Sequence, residues 1–195
     1  ILKKMGVKIL FKNKKKYMGE QVADIFVEGA NKIKSINCPK YLNSQAIDEF
    51  LLIFLVAAKA DGVSYFKEIS ELNQKESPRL ILGSKILNMM GIKTILTNNS
   101  IKIYGNPKLK IEHKIEVKNY LKDHRIFMMS CVAALTLGGN WKIYNKNSIE
   151  TSFPSFIHFL HMPWYHYHQK FASSCIFEPL FLSISPFWWY FWHQS

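Results

Sequence analysis

The hydrophobic positions of this chain follow two spacings. Short runs with apolar residues at every second position are typical of strands, and longer apolar runs between acidic residues and glycine are typical of helices. Strands are predicted over 7–11, 22–27, 63–66, 93–96, 101–104 and 141–144. Helices are predicted over 46–60, 77–90, 123–137 and 153–161, after a helix tail over 1–5.

The most apolar predicted helix, over 46–60, carries Asp48 and Glu49 at its start and ends before Asp61-Gly62. Acidic residues are favoured at a helix N-terminus by the helix dipole. Fifteen residues are too few to cross a membrane as a helix. This segment is therefore predicted to be a buried core helix.

Three glycines mark a recurring order of elements. Gly6, Gly91 and Gly138 each follow a predicted helix and precede a predicted strand, and the lysine-rich stretch 13–16 is predicted to be a solvated turn. The recurring order of helix and strands predicts internal repeats in an α/β domain.

Composition indicates one globular domain, or one and a part, since 48% of the 195 residues are hydrophobic and 21% are charged. The formal charge of +12 favours an anionic partner, either nucleic acid or a phosphorylated metabolite. The excess is mostly lysine in a chain also rich in asparagine and isoleucine, a composition typical of an AT-rich genome. The charge is therefore read as a solvated surface, and no nucleic-acid partner is predicted.

Cysteine usage predicts a reducing, cytoplasmic setting. Cys38, Cys131 and Cys175 are odd in number and form no C-x-x-C pair. The chain opens at Ile1 without a signal-peptide pattern. Because the opening resembles a helix end that runs into a strand, the chain is expected to begin in the middle of a longer protein.

The last segment, 162–195, differs in composition from the rest. Twelve of its 34 residues are aromatic, four of the five tryptophans lie in it, and only Lys170 and Glu178 carry formal charge. A membrane anchor over 177–192 is one interpretation, but Glu178, prolines and serines interrupt it. A shifted reading frame or a disordered tail is favoured. His161, His166 and His168 match no standard metal spacing, so no metal site is predicted.

Only two arginines occur in the chain, Arg79 and Arg125. A guanidinium group offers a planar fork of donors that grips a carboxylate or phosphate at two points. Each arginine closes a short polar cluster, 75–79 or 123–125. The two forks, beside lysine, glutamate and histidine, predict a pocket for a small and highly anionic substrate.

Four polar clusters, at 48–49, 75–79, 123–125 and 150–154, lie at the starts of predicted helices. Helix N-termini expose free backbone N–H groups and a partial positive charge. Each cluster taken singly is as well explained by helix capping. If the repeats pack side by side, these helix starts converge on one anion site.

The order I-D-E, E-L-x-x-K-E-S-x-R, D-H-R-I-x-M and S-F-P-x-F resembles the C-terminal domain of the 3-phosphoshikimate 1-carboxyvinyltransferase (EPSP synthase) family, over about 1–160. The resemblance implies an α/β (α+β) fold built from repeated helix–sheet units of an inside-out α/β barrel. It also implies a partial enolpyruvyl transferase domain over 1–161, lacking the N-terminal domain of the same enzyme. At full length the resemblance implies a monomer.

The same resemblance implies an activity without a cofactor. The family transfers the enolpyruvyl group of phosphoenolpyruvate to the 5-hydroxyl of shikimate 3-phosphate, by addition and then elimination. This places the family in the shikimate pathway of aromatic amino acid biosynthesis.

Residue matches imply roles in that reaction. Asp48 matches a candidate base that contacts the shikimate hydroxyl, and Glu76 matches the proposed proton donor. Arg79 and Arg125 match the arginines that hold phosphoenolpyruvate. The remaining matches are Lys75 near the shikimate hydroxyl, and Asp123 and His124, which orient or line the site.

Three positions depart from the family pattern. Pro78 stands where aspartate is usual, Asn73 where arginine is usual, and Thr151 where some members carry lysine. These departures bear on phosphoenolpyruvate affinity more than on the fold. Two alternatives remain at this point: a UDP-N-acetylglucosamine 1-carboxyvinyltransferase-like enzyme, and a basic nucleic-acid-binding module.

Overall fold

The structure, a computed structural model, describes residues 1–30 and 32–160. The chain divides into two compact units. The first contains Ile1–Gly6 and Lys32–Ser148, and the described part of the second contains 7–30 and 149–160. The predicted tail over 162–195 lies outside the described residues, as do His161, His166 and His168. The predicted domain boundary between residues 161 and 162 therefore stays a prediction.

A small antiparallel sheet forms one layer of the first unit. Its strand order is β3-β5-β4, and β5 pairs with both neighbours. The extended piece over 33–38 runs parallel to β3 through bridges from Lys34 to Asp61 and from Asn37 to Tyr65. The strands of this sheet are β3 (Val63–Lys67), β4 (Thr94–Leu96) and β5 (Ser100–Tyr104).

Three helices pack on one another in the same unit, and α2 contacts α3, α4 and strand β5. Nearly every side chain of α2 is buried, as its continuous apolar run predicts. Phe50 and Phe54 of α2 meet Phe66 of β3, with ring centroids 5.3 to 5.9 Å apart. The longer helices are α2 (Phe50–Ala58), α3 (Arg79–Met89) and α4 (His124–Leu137).

The entry into α2 is a chain of short helical turns. Helix α1 (Asn43–Ala46) is flanked by the 3-10 helices Lys40–Leu42 and Ile47–Glu49. Together they make Lys40–Ala58 a helical stretch of 19 residues, long and apolar enough to span a bilayer by composition alone. Almost half of that stretch is buried within the protein, as in a core helix.

A second pairing in the first unit is parallel. Strand β6 (Lys114–Val117) pairs in parallel with β7 (Asn140–Ile143), and α4 connects them. Parallel pairing requires a crossover of this kind. Strand β6 was missing from the sequence prediction, because its four residues carry too short an alternating pattern.

The second unit contains an antiparallel hairpin of β1 (Lys8–Tyr17) and β2 (Glu20–Glu28). The prediction of a turn at 13–16 is wrong, because these lysines belong to β1 and the chain reverses at Met18-Gly19. The register shifts between Lys12 and Lys15, where Asn13 has a φ of 50°. A bulge of this kind accommodates one extra residue within a strand. The strand therefore continues through a sequence that resembles a turn.

The remaining helix, α5 (Phe156–Leu160), also belongs to the second unit and is shorter than the helix predicted over 153–161. The other predicted strands and helices occur with shifted ends. Each of the three marker glycines follows a helix and precedes a strand, and the φ values of Gly6, Gly91 and Gly138 are 92°, 82° and 78°. The predicted recurrence of helix and strand is therefore confirmed in the described residues.

Candidate active site

The starts of α2, α3 and α4 meet in one ionic cluster of the first unit. Asp48 lies in the 3-10 helix that leads into α2, Arg79 begins α3, and Arg125 lies in the first turn of α4. The predicted convergence of three of the four polar clusters is therefore confirmed. The fourth cluster, 150–154, belongs to the second unit.

Arg79 is the centre of this cluster and is only 1% exposed. Its Nε donates to Oδ2 of Asp123 at 2.9 Å, and its Nη1 donates to Oδ1 of Asp48 at 3.1 Å. Its Nη2 donates to Oε2 of Glu76, three positions earlier in the chain. All three guanidinium nitrogens thus contact carboxylates of the protein, which compensates the burial of the charge.

Arg125 is 8% exposed and approaches Asp48 from the side of α4. Its Nη1 donates to the backbone carbonyl of Asp48 at 3.1 Å, and its Nη2 lies 3.6 Å from Oδ2 of the same residue. The two arginines predicted to share a pocket therefore meet at one aspartate, although they are 46 positions apart in the sequence.

Asp123 holds the start of α4 in place. Its Oδ1 accepts hydrogen bonds from the backbone N–H groups of Arg125, at 2.8 Å, and Ile126, at 3.3 Å. This is N-capping, in which a side-chain oxygen satisfies free donors of the first turn. Its Oδ2 accepts from Arg79 and, at 2.8 Å, from the hydroxyl of Ser77.

Lys75 lies at the more exposed edge of the cluster. Its Nζ is 3.1 Å from Oε1 of Glu71 and 3.9 Å from Oδ1 of Asp48. Asp48 thus has three cationic side chains within 4 Å, and its own side chain is 39% exposed. An incoming ligand would reach the cluster where the carboxylates are most exposed, at Asp48 and at Glu76, whose side chain is 58% exposed.

His124 follows Asp123 at the first position of α4 and is half-buried. Within the described part of the chain it makes none of the hydrogen bonds that join the other members of the cluster. Burial lowers the pKa of His124 below its ordinary value, although the neighbouring Asp123 acts in the opposite direction. The imidazole is therefore neutral at neutral pH.

Glu49 belongs to the polar cluster at 48–49, but no role of its own in the site was predicted for it. Burial raises the pKa of Glu49 to about 6, although Arg125 acts to lower it. Its position next to Asp48 was the available signal, but a helix start rich in acids is usually explained by the helix dipole.

The charges of the cluster are closely balanced. Three cations, Lys75, Arg79 and Arg125, meet four carboxylates, those of Asp48, Glu71, Glu76 and Asp123. An anionic ligand must therefore compete with protein carboxylates for the arginine donors. The ion pair of Glu76 with Arg79 is the one most easily exchanged, because the Glu76 side chain is the most exposed of the four carboxylates.

Two of the three departures from the family pattern lie near this cluster and have structural roles. Pro78 precedes α3, and its carbonyl accepts from Leu82 N at 2.9 Å. A proline at a helix start loses no intrahelical hydrogen bond. The Oδ1 of Asn73 accepts from the backbone N–H of Ile81 at 3.4 Å, in the first turn of α3. The third departure, Thr151, belongs to the second unit.

Among the described residues, no group of three or more His, Cys, Asp or Glu side chains is arranged to hold a metal ion.

Comparison with known proteins agrees with the sequence motifs. The family model for EPSP synthase (3-phosphoshikimate 1-carboxyvinyltransferase) matches residues 1–160. The 3-phosphoshikimate 1-carboxyvinyltransferase of Thermodesulfovibrio yellowstonii is 35% identical over 162 residues, which are 83% of this chain and 37% of that protein. The enzyme of the same name from Clostridium tetani is 32% identical over 159 residues, 82% of this chain and 36% of that protein.

Solved structures give the same relationship. An EPSP synthase from Acinetobacter baumannii superposes with a TM-score of 0.73 at 34% identity, covering 82% of this chain and 37% of that one. The enolpyruvyl transferase NikO from Streptomyces tendae, with a TM-score of 0.54 at 15% identity, covers 80% of this chain and 32% of that one and shows a shared fold. The predicted α/β fold of the enolpyruvyl transferases is confirmed.

The present chain spans a little over a third of the length of these relatives. The match nevertheless runs continuously from the first residue to residue 160, and it includes all three segments that form the ionic cluster. The chain belongs to the EPSP synthase family.

Proposed function

We propose that this chain supplies part of the active site of an enzyme that transfers the enolpyruvyl group of phosphoenolpyruvate to the 5-hydroxyl of shikimate 3-phosphate. The observation that carries the proposal is the meeting of Arg79 and Arg125 at Asp48. The family match supports the choice of reaction over the two alternatives raised by the sequence. The reaction is proposed to take place in the cytoplasm, without a cofactor.

The arginines are proposed to bind phosphoenolpyruvate. Phosphate and carboxylate groups both fit the fork of a guanidinium group. Nη1 and Nη2 of Arg79 contact Asp48 and Glu76, and both Nη atoms of Arg125 face Asp48. Phosphoenolpyruvate would take over some of these donors, which frees the carboxylates for chemistry.

Asp48 and Glu76 are proposed to move protons. In the addition step the 5-hydroxyl oxygen bonds to C2 of phosphoenolpyruvate, Asp48 takes the hydroxyl proton, and Glu76 delivers a proton to C3, which becomes a methyl group. In the elimination step the bond from C2 to the phosphate oxygen breaks, the carboxylate of Glu76 takes a proton back from the methyl group, and the departing phosphate takes the proton held on Asp48. The products are 5-enolpyruvylshikimate 3-phosphate and phosphate.

Lys75 and His124 are proposed to line the site. Lys75 lies within reach of Asp48, at 3.9 Å, and its positive charge would favour an anionic intermediate near the attacking hydroxyl. His124, neutral at neutral pH, can donate one hydrogen bond and accept another.

The chain alone is proposed to have little or no turnover. It spans a little over a third of the length of its relatives, and the resemblance assigns much of the shikimate phosphate site to an N-terminal domain. The proposed partners are therefore phosphoenolpyruvate, shikimate 3-phosphate and that domain of the same enzyme.

The test is a calorimetric titration of the 195-residue chain with phosphoenolpyruvate at constant ionic strength. Saturable binding is expected, with sulfate binding more weakly. Arg125→Lys should weaken phosphoenolpyruvate binding about tenfold, because one charge-assisted hydrogen bond contributes about 1.5 to 3 kcal/mol. The control Lys110→Ala removes an exposed lysine whose ion pair with Glu112 lies outside the cluster.

Binding of phosphoenolpyruvate that is no tighter than that of sulfate, or that Arg125→Lys leaves unchanged, would contradict the proposal. If the chain alone, given both substrates, released phosphate from phosphoenolpyruvate at a normal rate, that result would contradict the need for a further domain. Competition by glyphosate, but not by UDP-N-acetylglucosamine, distinguishes the shikimate enzyme from its closest alternative.

A further inference from the structure

A buried serine at the start of α3 contacts the residue that caps α4. Ser77 is 2% exposed, and its Oγ donates to Oδ2 of Asp123 at 2.8 Å across 46 positions of sequence. The same oxygen accepts from Nε of Arg79 at 2.9 Å. Asp123 is itself 1% exposed, so two donors and one acceptor meet in a region that excludes water.

These contacts determine which way the Arg79 fork points. With Nε bonded to Asp123, only Nη1 and Nη2 remain for the exposed side of the cluster, where Asp48 and Glu76 lie. A rotation of the Asp123 carboxylate would break the bond to Nε and let the guanidinium plane turn. The hydroxyl of Ser77 opposes that rotation, because its hydrogen bond to Oδ2 would also be broken.

The second carboxylate oxygen of Asp123 places the other arginine. Its Oδ1 accepts from Arg125 N and Ile126 N in the first turn of α4. One carboxylate therefore determines both the orientation of the Arg79 side chain and the position of the Arg125 backbone. Its negative charge also offsets the repulsion between two guanidinium groups that share Asp48.

We propose that Ser77 is a positioning residue, which acts through Asp123 to keep the two arginines oriented for a bound phosphoenolpyruvate. The proposal rests on the function proposed above as far as the ligand is concerned. In the described part of the chain the Ser77 hydroxyl donates to the buried Asp123, so its effect on the ligand is indirect.

The ionisation of Asp123 agrees with this arrangement. Burial acts to raise the pKa of Asp123, but the hydrogen bonds from Ser77, Arg79 and the Arg125 backbone, together with the charge of Arg79, keep the pKa below its ordinary value. The carboxylate is therefore charged at neutral pH, as the bond to the guanidinium group requires.

The test uses the arginine side-chain N–H signals of the ¹⁵N-labelled 195-residue chain. Since the chain contains two arginines, the Nε–H region of the spectrum holds two signals that single variants assign. Ser77→Ala is expected to accelerate exchange of the Arg79 Nε–H proton with water by at least about fivefold, which corresponds to the loss of one buried hydrogen bond. The backbone amide of Arg125 is expected to keep its protection, because Oδ1 still caps α4.

Ser130→Ala is the matched control. Ser130 is fully buried in α4, and its Oγ donates to the carbonyl of Ile126 at 2.8 Å, so its removal also deletes one buried hydroxyl bond. An Arg79 Nε–H exchange rate that is equal in Ser77→Ala, Ser130→Ala and the unaltered chain would overturn the proposal.

Affinity for phosphoenolpyruvate is the second readout. Ser77→Ala is expected to weaken it about fivefold, as one buried hydrogen bond would, and Ser130→Ala should leave it within about twofold. Faster exchange at Arg79 with unchanged affinity would overturn the link from Ser77 to the ligand. If the unaltered chain does not bind phosphoenolpyruvate, the proposed function fails, and the exchange measurement still decides whether Ser77 orients Arg79.

Discussion

Nε of Arg79 donates a 2.9 Å hydrogen bond to Oδ2 of Asp123, and both side chains are almost completely buried. This contact joins the first residue of α3 to the N-cap of α4. A buried ion pair is strongly coupled, because either partner left alone would be an uncompensated charge away from water.

Arg79→Met should therefore destabilise the first unit by about 3 to 5 kcal/mol, since Asp123 would remain buried without its cation. Urea unfolding monitored by circular dichroism measures the change. Lys85→Met is the matched control, because Lys85 is an exposed lysine on the same helix. Equal unfolding midpoints for the two variants would show that the buried pair contributes nothing to stability.

Glu76→Gln should strengthen binding of phosphoenolpyruvate to the chain by about threefold. The Glu76 side chain is 58% exposed, so its pair with Arg79 contributes little, and a neutral amide competes less with an incoming anion for Nη2. Calorimetric titration measures the affinity, with Glu112→Gln as a control at a side chain that is 78% exposed. Weaker binding by Glu76→Gln would mean that the carboxylate itself helps to hold the ligand.

Glu49 should make the stability of the chain depend on pH. The pKa of Glu49 in the folded chain is raised to about 6, so the folded state binds this proton more tightly than the unfolded state does. The resulting contribution to stability is fully present below the unfolded pKa and is lost as the pH rises through 6. As the pH rises from 4 to 7.5, the free energy of unfolding of Glu49→Gln should therefore increase by about 1 to 2 kcal/mol relative to that of the unaltered chain. Thermal unfolding across this range measures the difference, with Glu112→Gln as the control, and parallel pH profiles for both chains would contradict it.

Two glycines in the first unit should differ in their response to alanine. A Cβ at Gly105 would lie 2.1 Å from the backbone oxygen of Ala60, whereas a Cβ at Gly83 would lie 2.7 Å from a terminal methyl of Leu51. Because backbone moves less readily than a side-chain end, Gly105→Ala should destabilise by about 3 kcal/mol and Gly83→Ala by about 1 kcal/mol. Chemical denaturation of both variants checks the order, and a smaller loss at Gly105 would contradict it.

Local patterns in the sequence predicted most of the elements of the first unit. Helix α4 follows from Asp123 as an N-cap before a long apolar run, and α2 from a continuous apolar segment. The same patterns misjudged the lysine-rich stretch 13–16, since the register of β1 against β2 overrides the local preference for a turn. Strand β6 escaped prediction because its four residues carry too short an alternating pattern.

The sequence by itself determined, to within a few residues, where the longer helices begin and which chemical groups stand near their starts, because capping and periodicity act over a few residues. It also identified the two arginines as members of one site. Only the tertiary structure decided that Arg79 is buried among carboxylates, with Nε on Asp123 and Nη1 on Asp48, across separations of 44 and 31 positions. Contacts over such separations depend on how α2, α3 and α4 pack against one another, and no local pattern encodes the direction of a guanidinium fork.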